Sequence, residues 1–234
     1  MAPAERRKTP EKHDLWIDIG VADGEEAKKL VAIGDPVTYE PNYEELRNGL
    51  AVSRGFDNKA GAWVVAEALR RVSRAKKKCK ASVYSVATVQ EEVGLRGAKT
   101  STYGVDPLVG IAVDVTWAMD HPSVDKRQVG ECKLGGGPVI TRGANVNPLV
   151  FERLLQVAKR KKIPHQIQAE PGGTGTDANA IQLSRAGVAT GLLSVPQRYM
   201  HTPVEIVALE DLEHTAKLLA EFTLTIDDKT SFIP

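Results

Sequence analysis

An open α/β domain, with a mainly parallel sheet and helices on both faces, is the fold class this sequence predicts. Three observations carry it. Apolar runs of strand length alternate along the chain with helical patterns. Several of those runs end on carboxylates or a histidine, where an open parallel sheet gathers its ligand-binding residues. No internal repeat or domain-sized linker interrupts the alternation, and 234 residues suit one such domain, long enough to bury roughly 70% of its unfolded surface.

Residues 1–13 (MAPAERRKTPEKH) are polar and charged and read as a tail. Residues 14–20 (DLWIDIG) alternate apolar Leu15, Ile17 and Ile19, which predicts a short strand. Asp23-Gly24-Glu25-Glu26 opens a short helix to about Val31, its acids placed where the helix dipole favours them. Turn signals such as Gly34-Asp35-Pro36 fill residues 33–56, with a small strand expected at 36–39. Asp57 suits the N-cap of a long helix to about Arg74, in which Trp63, Val64, Ala68, Leu69 and Val72 recur at helical spacing. Residues 82–89 form an apolar, β-branched run that predicts a strand delivering Glu91, Glu92 and then Gly94. If the strand ran on through the two glutamates they would face opposite ways; beyond its end both could turn to one site. A short helix starts near Gly94, and residues 109–115 make a further strand that carries Asp114.

Residues 117–145 are rich in glycine, proline and charge. Gly135-Gly136-Gly137-Pro138 lacks the Gly-Lys-Ser/Thr of a phosphate loop, so it reads as a loop of close backbone approach. Gly137 is there a candidate wall of a substrate site or a turn residue. Helices are expected from Pro148 to about Lys162, from Asp177 to about Arg185 and from Leu209 to Thr223, and strands at 139–141, 165–169 and 188–195. Residues 14–228 are expected to form one domain, with 229–234 as a second tail.

Composition excludes several classes. The formal net charge of +1 offers nothing to a polyanion, and the one basic run, residues 74–80, closes a helix where cations suit the dipole. Two cysteines are too few for a disulfide framework and lack metal-site spacing; they fit a reducing cytoplasm. No run of about 18 apolar residues is present to span a membrane, and the polar N-terminus is no secretory signal.

Asp57, Glu91 with Glu92, Asp114 and His201 all fall just after strands or at a helix start. Carboxylates and imidazole suit Zn²⁺, Co²⁺ or Mn²⁺. A spare glutamate beside a ligand glutamate can take a proton from water. Bland alternatives stand beside each: an N-cap for Asp57, a strand-end turn for Asp114, a surface histidine for His201.

Asp57-Asn58-Lys59-Ala60-Gly61, the run Val89-Gln90-Glu91-Glu92-Val93-Gly94-Leu95-Arg96-Gly97-Ala98, Ala112-Val113-Asp114-Val115-Thr116 and Tyr199-Met200-His201-Thr202-Pro203 resemble, in order, segments of the dinuclear metallo-aminopeptidases that include glutamyl, deblocking and tetrahedral (TET) aminopeptidases. The likeness runs from about residue 14 to 225. It implies a zinc-exopeptidase-like α/β/α sandwich and a hydrolase that removes N-terminal residues from peptides, often as a homo-oligomer. By that resemblance two divalent ions, zinc or cobalt or possibly manganese, would be held: Asp57 bridging, Glu92 and His201 completing one position, Asp114 the other, with Glu91 as general base. Asp177, in Gly172-Gly173-Thr174-Gly175-Thr176-Asp177-Ala178, is a candidate for substrate contact.

Two departures qualify the resemblance. Asn58-Lys59 stands where Asp-Arg is commoner. The family's remaining metal ligand, a histidine in an early His-x-Asp segment, has no counterpart here. The resemblance therefore implies a chain without the family's first strand-helix part and most of its inserted small β domain, with one metal position incomplete and a sheet edge open to pairing. The alternative function is a catalytically impaired, mononuclear or metal-free relative acting as a structural or binding subunit.

Overall fold

The computed structural model describes residue 9 and residues 11–76, 78–122 and 124–233. The chain divides into two compact units, residues 1–39 and 40–234, so the boundary lies well beyond residue 13. Among its described residues the smaller unit holds a 3₁₀ turn, Lys12–Asp14, and helix α1, Gly24–Leu30. Asp23 caps α1 by accepting from the Glu25 and Glu26 amides. The strands expected at 14–20 and 36–39 do not form. Alternation of apolar residues supplies one face of a strand but not the neighbour its backbone needs, and Leu15, Trp16 and Ile17 stay exposed.

The larger unit is built on a seven-stranded sheet. In chain order its elements are β1 Glu44–Glu45, β2 Leu50–Ser53, α2 Phe56–Arg74, α3 Arg96–Val105, β3 Val109–Trp117, α4 Lys126–Val129, β4 Val139–Gly143, α5 Pro148–Arg160, β5 Gln166–Glu170, α6 Ala178–Ile181, β6 Ala189–Arg198, β7 Glu205–Ala208 and α7 Leu209–Thr223. The strands run β1-β2-β7-β6-β4-β5, with β3 paired to the other side of β6. The α/β class stands, but the sheet is mixed rather than mainly parallel. β3–β6 and β4–β5 are parallel, whereas β1–β2, β2–β7, β4–β6 and β6–β7 are antiparallel. Strand direction depends on the connections between elements, which a local apolar pattern does not encode.

Helices cover both faces. Gly110 of β3 and Gly191 of β6 lie on opposite faces, because Gly191 pairs with Ile111, the next residue along. A Cβ on Gly110 would meet Ile181 of α6, whereas one on Gly191 would meet Val150 and Leu154 of α5. α5 packs on α7 and α7 on α2, while α3 packs on α6. The core forms where β6 (Leu192, Leu193, Val195) meets Val64, Leu154 and Leu219 of these helices. Asn147 caps α5 through the Leu149 and Val150 amides, with Pro148 in the first turn.

Two features lay outside the sequence expectations. Residues 229–233 are no free tail: Phe232 is buried, stacks on Phe222, and has its carbonyl bonded by Asn147 Nδ2 at 2.8 Å. Asp211, fully buried at the start of α7, accepts the Gly135 and Gly137 amides at 2.7 Å each. That pair of bonds shapes the glycine loop. Asp211→Ala is expected to cost about 2–4 kcal/mol, since it strands two amides; urea unfolding measures it, and an unchanged midpoint would contradict the assignment.

Candidate metal centre

Residues 82–89, expected as a strand, join no ladder among the described residues. Residues 82–88 are neither helix, turn nor bend. The reason is again a neighbour: an apolar run becomes a strand only when another backbone pairs with it. Gln90 then adopts a left-handed φ of 59°. The chain leaves its course there, and Glu91 enters a turn closed by Gly94 and Leu95 amides donating to the Glu91 carbonyl at 3.0 Å. Both glutamates therefore sit beyond the run, in a turn, where they are free of strand alternation.

Asp57 does not cap α2. The backbone is non-helical at Asp57 and Asn58, and the peptide between them is cis. Asn58 does the capping instead, its Oδ1 accepting the Gly61 amide at 2.8 Å while its Nδ2 donates to the Val113 carbonyl of β3 at 2.8 Å. The Asp57 amide donates to Glu205 Oε2 at 3.2 Å. This leaves the Asp57 carboxylate directed to His201, whose Nε2 lies 3.1 Å from Asp57 Oδ2 and 3.7 Å from Glu92 Oε2. His201 follows β6 in a left-handed conformation, φ 62°, with its ring edge-on to Trp117 at 6.1 Å. Asp57, Glu92 and His201 each offer a donor atom within 4.8 Å of the others.

The other expected site residues fall around this cluster in different ways. Glu91 and Asp177 line the same cleft as Asp57 and Glu92. Asp177 Oδ2 accepts the Thr88 hydroxyl at 2.6 Å, and its Oδ1 is buried with no partner among the described residues. Asp114 is buried in β3, with Oδ1 accepting the Val115 amide at 2.9 Å, and stands outside the three-residue cluster. Gly137 is not part of that cleft. It faces the Pro164 carbonyl so closely that a Cβ would lie 2.1 Å from it, and its amide is held by Asp211. Its glycine identity is explained by that backbone contact rather than by substrate. Glu205 and Trp117 were missed. Glu205 carried a readable signal, an acid opening the apolar run Ile206-Val207-Ala208, where it proves buried.

The site carries unbalanced negative charge. Burial, then the charge of Glu92, pushes Asp57 up to about 6, although His201 opposes the shift. Burial followed by Glu92, Asp177 and Asp57 pushes Glu91 up to about 7. Burial pushes Asp114 up to about 8 against the Val115 amide bond. Crowded carboxylates beside an imidazole are a donor set that a divalent cation relieves. Three protein donors with His201 mostly exposed leave room for a further ligand, the pattern of catalytic rather than structural sites.

A mixed, helix-covered sheet that gathers two carboxylates and an imidazole beyond its strands defines a zinc-exopeptidase-like α/β protein. The chain belongs to the M42 glutamyl aminopeptidase family, whose model matches residues 1–218. It is 40% identical over 205 residues to a lysyl aminopeptidase of Pyrococcus furiosus, covering 87% of this chain and 57% of that protein. The crystal structure of a TET aminopeptidase from a marine-sediment Thaumarchaeota archaeon superposes with a TM-score of 0.90 at 36% identity, covering 98% of this chain and 65% of the other. The TET1 peptidase of Pyrococcus horikoshii, which can assemble into a tetrahedron or a large octahedral shell, matches with a TM-score of 0.76 at 30% identity over 89% of this chain and 60% of the other. The chain thus spans less than two thirds of the length of each. No helix among the described residues is long and apolar enough to cross a membrane.

Proposed function

We propose that the site serves a metal-dependent aminopeptidase, cleaving the first peptide bond of a peptide substrate. The observation that carries this reading is the convergence of Asp57, Glu92 and His201, with Glu91 in the same cleft. Asp57, Glu92 and His201 would hold a zinc, cobalt or manganese ion. A divalent cation bound there would polarise the substrate carbonyl and make water more acidic. Glu91 would accept the proton as the water oxygen attacks the carbonyl carbon, then deliver it to the amine as the C–N bond breaks. Asp177 Oδ1, buried and unpartnered, would accept a hydrogen bond from the substrate's terminal ammonium. Asp114 would serve a second ion, but it stands outside the cluster, so one tightly bound ion per chain is the expected stoichiometry. Metal analysis finding two tight ions would contradict it.

Hydrolysis of leucine or glutamate anilides with added Zn²⁺ or Co²⁺ tests the reading directly. No turnover with any metal, in a folded preparation, removes the catalytic claim for this chain. The second reading, a binding subunit without catalysis, draws on Asp114 standing outside the three-residue cluster and then prevails. Assembly with further copies is a proposal that rests on the oligomeric TET relative.

Glu205 would act on the ion through Asp57, by fixing its backbone. Glu205→Ala, which removes the acceptor of the Asp57 amide, is expected to weaken zinc binding by about 10–100-fold, as loss of a partner of a ligand does elsewhere. Calorimetric titration reads this, and circular dichroism checks that the fold is retained. Unchanged affinity would dismiss the positioning role.

A further inference from the structure

We propose that the Asp120–Arg198 ion pair positions His201, holding the turn after β6 so that the imidazole is presented to Asp57 and Glu92 before any ion arrives. This role rests on the proposed metal site for its consequence, while its geometry belongs to the ion-free protein. His201 lies in no helix or strand. It stands three residues beyond Arg198, the last residue of β6, and its side chain is 60% exposed. Tyr199 and His201 both hold left-handed backbone, φ 58° and 62°, a conformation that residues other than glycine keep only where their surroundings impose it. Thr202 Oγ1 donates to the Tyr199 carbonyl at 2.7 Å and accepts the Val204 amide at 3.2 Å. Those local bonds close the turn on itself but do not fix where it points.

Its direction is set by the segment that ends β3. Three side chains of residues 117–121 meet three residues of 198–201. Trp117 lies edge-on to His201 with ring centroids 6.1 Å apart, and the His121 and Tyr199 rings meet at 5.1 Å. The third contact is the directional one. Arg198 Nε and Nη2 donate to Asp120 Oδ1 and Oδ2 at 2.8 Å each, and Nη2 also donates to the Asp120 carbonyl at 3.2 Å. A forked pair fixes orientation as well as distance, which ring contacts do only loosely. The side chains are 24% and 26% exposed, so water competes weakly for them. The segment is itself anchored. The Ala118 amide donates to the Gln197 carbonyl at 2.8 Å, the Met119 amide to the Cys132 carbonyl at 2.6 Å, and the Leu134 amide to Asp120 Oδ2 at 3.2 Å. Asp120 therefore ties the end of β6 to a fixed base. A pair that served stability alone would resemble Lys161–Glu221, which joins the end of α5 to α7 at 2.7 Å with side chains 39% and 26% exposed.

Asp120→Asn keeps the size of the side chain but, whichever way its amide turns, sets an N–H against an Arg198 nitrogen. In the zinc-free full chain it is expected to lose most of the nuclear Overhauser effect between the Trp117 and His201 rings. Titration with zinc alone in a calorimeter is expected to show affinity weakened by about 10–100-fold. Arg198→Lys keeps the charge without the fork and is expected to show both losses to a smaller degree; it carries the test if Asp120→Asn does not fold. Glu221→Gln, the control for plain stability, is expected to leave both readings unchanged. An undiminished Overhauser effect in the folded variants overturns the positioning role, and so does a Glu221→Gln protein that reproduces the losses. A diminished effect with unchanged zinc affinity overturns the hold on the ion. If the wild-type chain takes up no zinc, the metal reading fails by itself, and the Overhauser effect alone decides whether the pair positions His201.

Discussion

Replacing Glu91 with glutamine is expected to lower kcat on an anilide substrate by about 10²–10⁴-fold while metal affinity stays within a few-fold. Glutamine keeps the size and one carbonyl oxygen of the side chain but cannot accept and return a proton. The three donors that come within 4.8 Å of one another do not include Glu91, so the ion should remain. KM should change little, because the lost interaction belongs to the transition state. The expectation draws weight from the environment of Glu91: burial and three neighbouring carboxylates hold it near 7 in the metal-free site, the range in which a base can both take and release a proton. Retained turnover would refute the assigned base. Loss of metal together with activity would make Glu91 a ligand instead.

The second large effect is on stability. Raising the pH of the chelated protein from 5 to 8.5 is expected to lower its melting temperature. Free carboxyl groups titrate near 4 in the unfolded chain, whereas burial and neighbouring carboxylates push Asp57 up to about 6, Glu91 to about 7 and Asp114 to about 8 in the folded one. Between about pH 4 and 8 the native state therefore holds more protons than the unfolded state, and stability falls as pH rises. The contribution of these groups is fully present below about pH 4 and is lost as pH climbs through each folded value. Glu67, held down at about 2 by Arg70, acts in the opposite sense, but only below about pH 4.5, outside this window. Asp114 is the most deeply buried of the three, so Asp114→Asn should stabilise the metal-free protein at pH 8 by about 2–4 kcal/mol. Zn²⁺ should return the wild-type melting temperature at high pH by occupying the cluster. A melting temperature that is flat or rises with pH, or an Asp114→Asn protein no more stable than wild type, would remove the account of the site as a store of uncompensated charge.

Much of this was legible in the residues, and the pattern of what was not has a physical basis. Helices α5 and α7 and strands β3 and β6 fall close to where their periodicity puts them, because period and caps are properties of neighbouring residues. The short strands β2 and β7 passed unnoticed, since four residues carry little pattern. Residues 82–89 have the composition of a buried strand, yet strand formation needs a partner, and none among the described residues pairs with them. Asp57 reads as an N-cap, but its neighbour Asn58 fills that role and leaves the carboxylate for the site. Gly137 reads as a substrate loop because glycine marks close approach without saying to what; the answer is the Pro164 carbonyl.

The sequence by itself determined the α/β class, the major helices and strands, and the family to which its short segments belong. It determined them through local periodicity and through short segments whose chemistry is legible in isolation. Tertiary structure alone decided the mixed direction of the sheet, the convergence of Asp57, Glu92 and His201, and the hold of Glu205 on Asp57. It also decided that the run before Glu91 faces an open cleft. Glu205 and Asp57 are 148 residues apart, and no local pattern records such a meeting. Sheet pairing and charge convergence depend on which distant backbones arrive beside one another, and that is settled only when the chain packs.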